Sequence, residues 1–483
     1  MRQENNNPKS SFAGNSLYLF AAKFFPALAI FITTLFFSHK LDAEEYGQYQ
    51  NFWIQLFFLS AIATIGFPVF ALTYSGTKLI AIIRRITTNQ LLLFSGFSLL
   101  LSVIFGSFQY YSNNTNPIIC AAFFMLFACV VISDSFLIVF KSYRKLISVN
   151  IVYSLLFIGL HYWKISNDIP FTDFLKTLII LLFLRLVVNT VLIKRHASGV
   201  HNLIEEIAES EWLRIKKLWI QLGLNDVTQV LFRWIDKFIL SFILAKELFG
   251  VYTNATIEIA FLPLIFSAVS SAAVQHWAHY QSTKTLQNQI SILHYSSRIL
   301  SSIVFPLFFF LLFFREEFLI TVFSEKYISG VWIFVCAQLV LPVRAYPFTA
   351  LLQSHHRGDI INKGSVIDFI LACILMYPLY LLLGLPGVAL SFVISTYWQA
   401  GYYLVHASRL LNTPIGNLLP VRILLRKFLL FAAITGLSYF AFTQIFSSTT
   451  GIFWAGMISL FSVGGISLLY EWNKNTKQDE HAA

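Results

Sequence analysis

The stretch GLNDVTQVLFRWIDKFILSFILAKELFGVYTNATIEIAFL, residues 223–262, decides the fold because it is strongly apolar and yet carries charges at regular spacing. Its polar residues recur every three or four positions and therefore share one face of a helix. A charge at the centre of a bilayer costs at least ~2.5 kcal/mol, so this face is expected to turn toward a polar cavity or toward other charges. We predict that it forms part of the functional site. The face consists of Asp226, Gln229, Arg233, Asp236, Lys237 and Ser241.

The last part of this stretch has a counterpart near the N-terminus. The sequence LDAEEYGQYQNFWIQLFFL, beginning at Leu41, aligns without a gap with LAKELFGVYTNATIEIAFL, beginning at Leu244, and eight of the nineteen positions are identical. An even number of predicted membrane crossings separates the copies, so both have the same orientation. Parallel repeats of this kind are a transporter architecture in which the binding site lies between the repeats.

The composition places the chain in a membrane. Of its 483 residues, 57% are hydrophobic and 12% are charged, whereas soluble domains carry about 25% charged residues. Apolar segments of about 20 residues, long enough to span a bilayer as helices, recur from end to end. The predicted fold class is an all-α integral membrane protein with about 14 transmembrane helices, formed by two parallel six-helix bundles and two C-terminal helices.

Polar segments between the apolar runs divide the chain. We predict an N-terminal six-helix bundle over residues 1–193 and a C-terminal six-helix bundle over residues 218–410. Residues 194–217 mix acidic, basic and apolar side chains and are expected to form a cytoplasmic linker helix along the membrane surface. Residues 411–483 hold two extra helices and a cytoplasmic tail. The polar start MRQENNNPKSS lacks a cleavage site, so it is expected to remain as a cytoplasmic tail.

The distribution of basic residues sets the predicted topology. The net charge is +11, and most Lys and Arg residues fall in loops on one side of the predicted membrane. Because cytoplasmic loops are enriched in Lys and Arg, both termini are predicted to lie in the cytoplasm. This topology accounts for the positive charge, and we predict no nucleic-acid partner. The predicted cytoplasmic loop residues include Arg84, Lys145, Lys216, Arg426 and Lys427.

Ionisable residues within the predicted spans are the main candidates for function, because charges inside a membrane are costly. Basic residues outnumber acidic ones, which favours an anionic ligand, and Arg binds phosphate oxygens through two parallel hydrogen bonds. Internal ion pairs, or side chains extended to the headgroups, are the alternative explanation. The predicted substrate-binding residues are Lys23, Arg185, Arg233, Asp236, Lys237, Arg298 and Arg344. The candidates for ion coupling are Glu258, Asp134 and Asp368.

The predicted depth of these basic residues separates their roles. Arg233 lies near mid-depth and is predicted to be the central phosphate contact, with Asp236 one turn away as its partner when no ligand is bound. Four others lie closer to the cytoplasmic end of their helices and are expected to form a cationic vestibule. They are Lys23, Arg185, Arg298 and Arg344.

Motifs for catalysis and for nucleotide use are absent from the sequence. It contains no phosphate-binding G-x-x-x-x-G-K-[ST] sequence and no metalloprotease H-E-x-x-H motif. The cysteines lie in apolar segments without metal-ligand spacing, so no metal site is predicted. The chain is therefore predicted not to be an enzyme and to have no cofactor, although its transport can be coupled to a proton or sodium gradient.

Several short stretches carry a family resemblance. LDAEEYGQY, beginning at Leu41, is an acidic turn followed by Gly-x-Tyr, and Asp236-Lys237 is followed by a similar pattern that includes Glu247 and Gly250. The basic loops KSYRKL and SHHRGD are weaker similarities. These motifs resemble those of the polysaccharide-biosynthesis membrane proteins, or Wzx-type flippases, of the multidrug/oligosaccharidyl-lipid/polysaccharide transporter superfamily.

The resemblance implies a flippase that moves undecaprenyl-pyrophosphate-linked oligosaccharide across the bacterial cytoplasmic (inner) membrane. The cargo would be a repeat unit of O-antigen, as in lipopolysaccharide, or of an exopolysaccharide. The implied partners are this lipid-linked oligosaccharide and membrane lipid, with polysaccharide polymerase and glycosyltransferases as further partners. One alternative is a multidrug or cation antiporter of the same superfamily, for which an acidic cavity is expected. Another is a non-transporting membrane scaffold for polysaccharide assembly, which needs no charges at helix centres.

Cysteine labelling of intact cells tests the predicted topology. In a background without the native cysteines, single cysteines near Arg84, Lys145, Lys216 and Arg426 are expected to be protected from a membrane-impermeant maleimide. Those near Glu44, Asp168 and Glu317 are expected to react, because the loops that contain them carry few basic residues. Permeabilised cells, in which the first set should also react, are the control. Labelling near Lys216 in intact cells would contradict the topology.

Overall fold

The computed structural model describes residues 8–198, 207–257, 286–355 and 357–482, with a few positions between residues 262 and 273. Every described element is helical, so the predicted all-α fold is confirmed. Within these ranges, ten helices are long and apolar enough to cross a membrane. The chain is therefore a multi-pass membrane protein. The total of about 14 spans stays a prediction, because these ten helices do not include every apolar segment counted in the sequence, and residues 258–285 lie largely outside the described positions.

The chain forms two compact units, Met1–Gly250 (unit 1) and Val251–Ala483 (unit 2). In unit 1, long apolar helices alternate with short connecting helices, and the last helix continues past Gly250. The described helices are α1 (Pro8–Lys40), α2 (Ala43–Ala63), α3 (Phe67–Ala71), α4 (Gly76–Arg85), α5 (Thr88–Asn113), α6 (Pro117–Val139), α7 (Tyr143–Ser166), α8 (Phe171–Ser198), α9 (Glu209–Ile243) and α10 (Lys246–Ala255).

Unit 2 contains the two C-terminal helices, α18 and α19, which pack against α11. Its described α-helices are α11 (Leu286–Phe313), α12 (Arg315–Val322), α13 (Val331–Gln338), α14 (Phe348–Ser354), α15 (Gly358–Leu383), α16 (Leu385–Leu411), α17 (Ile415–Leu418), α18 (Val421–Ile445) and α19 (Thr449–Ala482). Two short 3-10 helices, Glu325–Gly330 and Pro342–Ala345, lie on either side of α13. The extra helices predicted from the sequence therefore belong to unit 2 and are packed onto one of its long helices.

The apolar segment that begins with α2 is broken before α3. Ile65 and Gly66 have positive φ angles of 46° and 63°, which end one helix before Pro68 starts the next. The Ile65 carbonyl accepts a hydrogen bond from Trp219 Nε1 at 3.0 Å. A Cβ atom on Gly66 would lie 2.3 Å from the Cα of Gly223, so only glycine fits at this position. The break is thus held by close packing on α9.

The described ends of the predicted linker, within residues 194–217, belong to two long helices, α8 and α9. Charge pairs attach the start of α9 to α4. Glu211 pairs with Lys78 at 2.8 Å, and Glu209 pairs with Arg85. Glu209 and Glu211, two of the acidic residues of this segment, therefore neutralise basic residues of a neighbouring helix.

The two copies of the sequence repeat meet within unit 1, where α2 begins one copy and α10 begins the other. A Cβ atom on Gly47 would lie 1.9 Å from the carbonyl oxygen of Lys246. Gly250, the equivalent of Gly47 in the repeat, faces the same contact, and its Cβ position is 3.6 Å from the Cα of Gly47. Glycine is therefore required at residue 47, where the backbone of α10 leaves no room for a side chain, whereas a Cβ atom at residue 250 would meet only the Tyr46 ring closely, at 3.3 Å.

Substitution of Gly47 tests this contact. Gly47→Ala is expected to destabilise the protein by ~1–3 kcal/mol, because the backbone of α10 must move to admit a methyl group. Gly159→Ala in α7 is the matched control, since no atom lies within 4 Å of the Gly159 Cβ position. Thermal denaturation of both purified variants in one detergent gives the comparison. Equal midpoints would show that α2 and α10 do not pack through Gly47.

Candidate functional site

Unit 2 contains an interrupted helix within a segment apolar enough to span the membrane, Glu325–Ala345. α13 ends at Gln338, and the 3-10 helix Pro342–Ala345 follows before α14 begins at Phe348. Non-helical backbone at membrane depth is tolerated where protein buries it or where it lines a cavity. The interruption therefore identifies a place at which a functional cavity is expected.

Side chains of the flanking helices satisfy the carbonyl groups that the interruption releases. The Tyr397 hydroxyl of α16 donates to the Leu339 carbonyl at 3.1 Å. Ser297 Oγ of α11 donates to the Ala345 carbonyl at 3.0 Å. Since the two donors come from different long helices, both ends of the interruption are fixed in position.

A cavity of about 350 Å³ lies beside the interruption and is lined by residues of unit 2. This volume falls in the range of about 300–1,000 Å³ that is typical of ligand pockets. Among the described residues that line the cavity, Arg344 alone carries a formal charge, and its side chain is exposed. We call it the Arg344 cavity. The uncharged polar residues of its lining are Ser270, Tyr346, Thr349, Gln353, Thr396, Gln399 and Tyr403.

One face of α16 supplies three of these polar residues. Thr396, Gln399 and Tyr403 follow one another at intervals of three and four residues, so they share a face. Tyr403 packs against Gly364 of α15, where a Cβ atom would lie 2.4 Å from the ring. The Tyr403 hydroxyl donates to the Ile361 carbonyl at 2.9 Å. The missing side chain at residue 364 thus allows the ring to lie against α15 in a fixed orientation.

Asp368 of α15 lies within electrostatic range of Arg344 and interacts with the side chain of Ser395. It is only 3% exposed, and its Oδ1 atom has no hydrogen-bond partner among the described residues. The structure therefore brings together a predicted substrate-binding residue and a predicted ion-coupling residue. A buried carboxylate oxygen of this kind can accept a proton or contact a cation without leaving the protein.

In unit 1, a second pair joins the same two predicted roles. Arg185 Nη2 donates to Asp134 Oδ2 at 2.5 Å and to Asn150 Oδ1 at 2.8 Å. The guanidinium of Arg185 also lies 4.3 Å from the ring centre of Tyr153. Asn189 Nδ2 donates to the other oxygen of Asp134 at 2.8 Å. This network connects α6, α7 and α8 and agrees with the expected alternative of an internal ion pair.

The polar face of α9 differs along its length. Arg233 is exposed, whereas Asp236 is buried and lies 3.6 Å from the Nζ atom of Lys237. Nearer the C-terminal end of α9, Ser241 is buried against α2, and its hydroxyl accepts a hydrogen bond from Gln55 Nε2 at 2.9 Å. One end of this face therefore serves helix packing, and Arg233 remains accessible.

The remaining predicted site residues lie in separate surroundings. Lys23 is exposed on α1, within electrostatic range of Asp226. Arg298 pairs with Glu471 in unit 2. Glu258 lies outside the described residues. The structure thus brings predicted site residues together in pairs, and the common cationic vestibule stays a prediction.

Comparison with known proteins gives a family match and a fold. Residues 210–331 match the model of a family described as polysaccharide biosynthesis protein. No curated protein matches the sequence significantly. A structure of the lipid II flippase MurJ in an inward closed conformation covers 95% of this chain and 99% of its own, with 15% identity and a TM-score of 0.61. An inward-facing MATE family multidrug resistance transporter covers 82% of this chain and 98% of its own, with 14% identity and a TM-score of 0.54.

This chain has the fold of MurJ and of MATE transporters. The resemblance to the polysaccharide-biosynthesis family is borne out over residues 210–331, the part of the chain that matches the family model and that includes the Asp236-Lys237 motif and Gly250. The similarity to the solved structures is low in sequence, so it establishes the fold and leaves the substrate to be argued from the site itself.

Two sets of residues in these sites are not predicted from the sequence. The spacing of Thr396, Gln399 and Tyr403 was visible, but uncharged polar residues within an apolar span gave no reason to select them. Lys427 was assigned to a cytoplasmic loop, whereas the structure places it inside α18, where its Nζ donates to the Arg298 carbonyl at 2.9 Å. Glu471, at the end of the last apolar run, was the available signal for a partner to these cations.

A comparison of two ion pairs of α8 tests the structural role of Arg185. Its pair with Asp134 is largely buried, with exposed side-chain fractions of 8% and 23%, so Arg185→Gln is expected to cost up to ~3–5 kcal/mol of stability. Lys176 pairs with Asp173 at exposed fractions of 56% and 55%, so Lys176→Gln is expected to cost less than ~1 kcal/mol. Thermal unfolding in detergent measures both. Equal effects would show that the buried pair does not stabilise the bundle.

Proposed function

We propose that the chain is a flippase for undecaprenyl-pyrophosphate-linked oligosaccharide, which it translocates across the bacterial cytoplasmic membrane by alternating access. The observation that carries the proposal is that the only formal charge among the described residues lining the Arg344 cavity is positive. A cavity with this charge is complementary to an anionic ligand. The planar guanidinium donates two parallel hydrogen bonds to phosphate oxygens, a geometry that suits a pyrophosphate.

The rest of the lining suits a sugar. Thr349, Gln353, Thr396 and Gln399 offer hydroxyl and amide groups that both donate and accept hydrogen bonds. Sugar hydroxyls and phosphates are costly to transfer into hydrocarbon, so a translocation pathway must replace the water around them. A mixed polar and aromatic cavity beside an interrupted helix meets this requirement, while the lipid tail of such a substrate can stay in the bilayer.

The proposed cellular setting follows from this substrate. The chain would lie in the inner membrane with both termini in the cytoplasm and would act on a repeat unit of O-antigen, or of another surface polysaccharide such as an exopolysaccharide. Glycosyltransferases would supply the cargo, and a polysaccharide polymerase would consume it. Asp368 and Asp134, and Glu258 outside the described residues, remain the proposed sites for coupling to a proton or sodium gradient. No catalytic step is part of the proposal.

The polar contact between α2 and α9 supports a mechanism of alternating access. Asn51 Nδ2 donates to the Ser241 carbonyl at 2.9 Å, and Gln55 Nε2 donates to Ser241 Oγ at 2.9 Å. Contacts of this kind are directional but weak, at about 0.5–1.5 kcal/mol each. They can therefore hold one arrangement of the helices and yet be exchanged during transport.

The second candidate is a multidrug or cation antiporter, which the similarity in fold to a MATE transporter favours. An antiporter for cations needs an acidic binding cavity, whereas the described lining of the Arg344 cavity contains no acidic residue. A non-transporting scaffold is a weaker third candidate, because it has no use for a charged cavity of this size. The sign of the charge at Arg344 therefore separates the candidates.

Transport in proteoliposomes tests the proposal. Movement of fluorescently labelled undecaprenyl-pyrophosphate oligosaccharide between leaflets, followed by chemical quenching of the outer leaflet, is expected to fall at least ~10-fold in Arg344→Gln. Arg344→Lys should keep part of the activity, because it retains the charge and loses the paired hydrogen bonds. Arg233→Ala and Arg233→Lys form a second series with the same expected order, since Arg233 is the predicted central phosphate contact.

Arg409→Gln is the control for loss of positive charge, because Arg409 is exposed at the end of α16. Rates are expressed per folded molecule, so that a loss of protein is not counted as a loss of transport. Normal lipid transport by Arg344→Gln would contradict the proposal. Efflux of a cationic dye by the wild type, without movement of the lipid-linked oligosaccharide, would favour the antiporter.

A further inference from the structure

A cluster of charged and hydroxyl side chains lies where α11, α18 and α19 meet, and none of its members is among the described residues that line the Arg344 cavity. Arg298 of α11 and Lys427 of α18 both face Glu471 of α19. Ser302 and Ser467 complete the cluster, with Ser467 Oγ donating to Ser302 Oγ at 2.9 Å. We call these five residues the Arg298 site. It contains two cations and one carboxylate, so it has a surplus of one positive charge.

Lys427 directs its ammonium group into the protein. Its Nζ atom lies 2.8 Å from Glu471 Oε1, 2.9 Å from the Arg298 carbonyl and 2.8 Å from Ser302 Oγ. An ammonium group has three donors, and these three contacts satisfy them. Lys427 therefore neutralises Glu471 and fixes α18 and α19 to α11.

Arg298 makes a weaker contact with Glu471 than Lys427 does. Its Nε atom is 3.7 Å from Glu471 Oε2, which is beyond hydrogen-bond distance. The same atom is buried without a hydrogen-bond partner among the described residues. The side chain is 19% exposed, so the guanidinium can be reached from outside the cluster. A partly desolvated guanidinium with unused donors is costly unless an anion completes its hydrogen bonds.

We propose that the Arg298 site binds the phosphate group of a lipid headgroup. A phosphate group can accept hydrogen bonds from the exposed part of the Arg298 guanidinium. Ser302 is fully buried and its hydroxyl already donates to the Arg298 carbonyl, so the two serines hold the site together and Arg298 supplies the contact to the ligand. Leu430 lies about one turn from Lys427 on α18 and is exposed, so an acyl chain of a bound lipid can pack beside the site. The two C-terminal helices thus supply a binding site, with Glu471 competing with the ligand for Arg298.

This role of Glu471 distinguishes a binding site from a purely structural ion cluster. If Glu471 occupies the place of a phosphate, Glu471→Gln should bind phosphate lipids more tightly, because the repulsion of a carboxylate is removed. If the cluster only stabilises helix packing, the same change can lower stability but cannot improve binding. The inference does not depend on the proposed function, since any membrane lipid with a phosphate headgroup carries the required chemistry.

Lipid binding to the purified full-length protein tests the inference. Native mass spectrometry in detergent compares dioleoyl phosphatidic acid with dioleoylglycerol, which has the same chains and no phosphate. We expect phosphatidic acid to bind at least ~10-fold more tightly, and this preference to disappear in Arg298→Gln. Arg426→Gln is the matched control, because it removes an exposed charge next to Lys427 and should leave the preference unchanged. Glu471→Gln should raise the affinity several-fold.

Two further arms identify the source of the phosphate. Displacement of phosphatidic acid by undecaprenyl phosphate at equal concentration would assign the site to the carrier lipid, and the lack of displacement would assign it to ordinary phospholipid. Inorganic phosphate that binds as tightly as the lipid would overturn the assignment to a lipid headgroup. Equal lipid preference in Arg298→Gln and Arg426→Gln would overturn the site itself. If Arg298→Gln does not fold, unchanged or weaker binding by Glu471→Gln would overturn it.

Discussion

The hydrocarbon core of a bilayer offers no hydrogen-bond partners, and the rest of this structure depends on that constraint. Every backbone carbonyl that leaves a helix must be satisfied by the protein itself. At the interruption after α13, Tyr397 and Ser297 meet this requirement for two carbonyls. At the break after α2, Trp219 does the same for Ile65. Irregular backbone occurs where neighbouring helices supply hydrogen-bond donors to the released carbonyls. One such place borders the Arg344 cavity.

The same constraint explains why the most deeply buried charges occur in ion pairs. Arg185 with Asp134, and Lys427 with Glu471, have complementary partners from other helices and hold those helices together. Arg233 and Arg344 are exposed side chains, the second in a cavity whose other described lining residues carry no charge. Since a paired charge is already neutralised, it contributes little to the recognition of a ligand. Arg185, which the sequence suggested as a substrate contact, is therefore better explained as part of a buried ion pair.

The internal repeat also has a structural explanation. Gly47 and Gly250 are identical in the two copies, and both face the contact between the starts of α2 and α10. Small residues allow helix backbones to approach closely in a membrane, where dispersion and polar contacts replace the hydrophobic effect as the force that joins helices. Hydrogen bonds from Asn51 and Gln55 to Ser241 extend this contact along α2. The contact thus explains the glycine at residue 47, whose Cβ position would overlap the Lys246 carbonyl.

The sequence by itself determined the class of the protein, because hydrophobic length and charge spacing depend only on the order of residues. It predicts the all-α membrane fold and carries the family resemblance around Asp236 and Gly250. It also identifies the ionisable residues within apolar spans, whose cost in a membrane indicates a role in packing or in binding. It did not decide which of them pair, since Arg185 and Asp134 are far apart in the chain and meet only when α6 and α8 pack. It also gave no signal for Thr396, Gln399 and Tyr403, whose polarity is ordinary in isolation. Only the tertiary structure, by placing them opposite an interrupted helix that carries Arg344, made them part of a cavity.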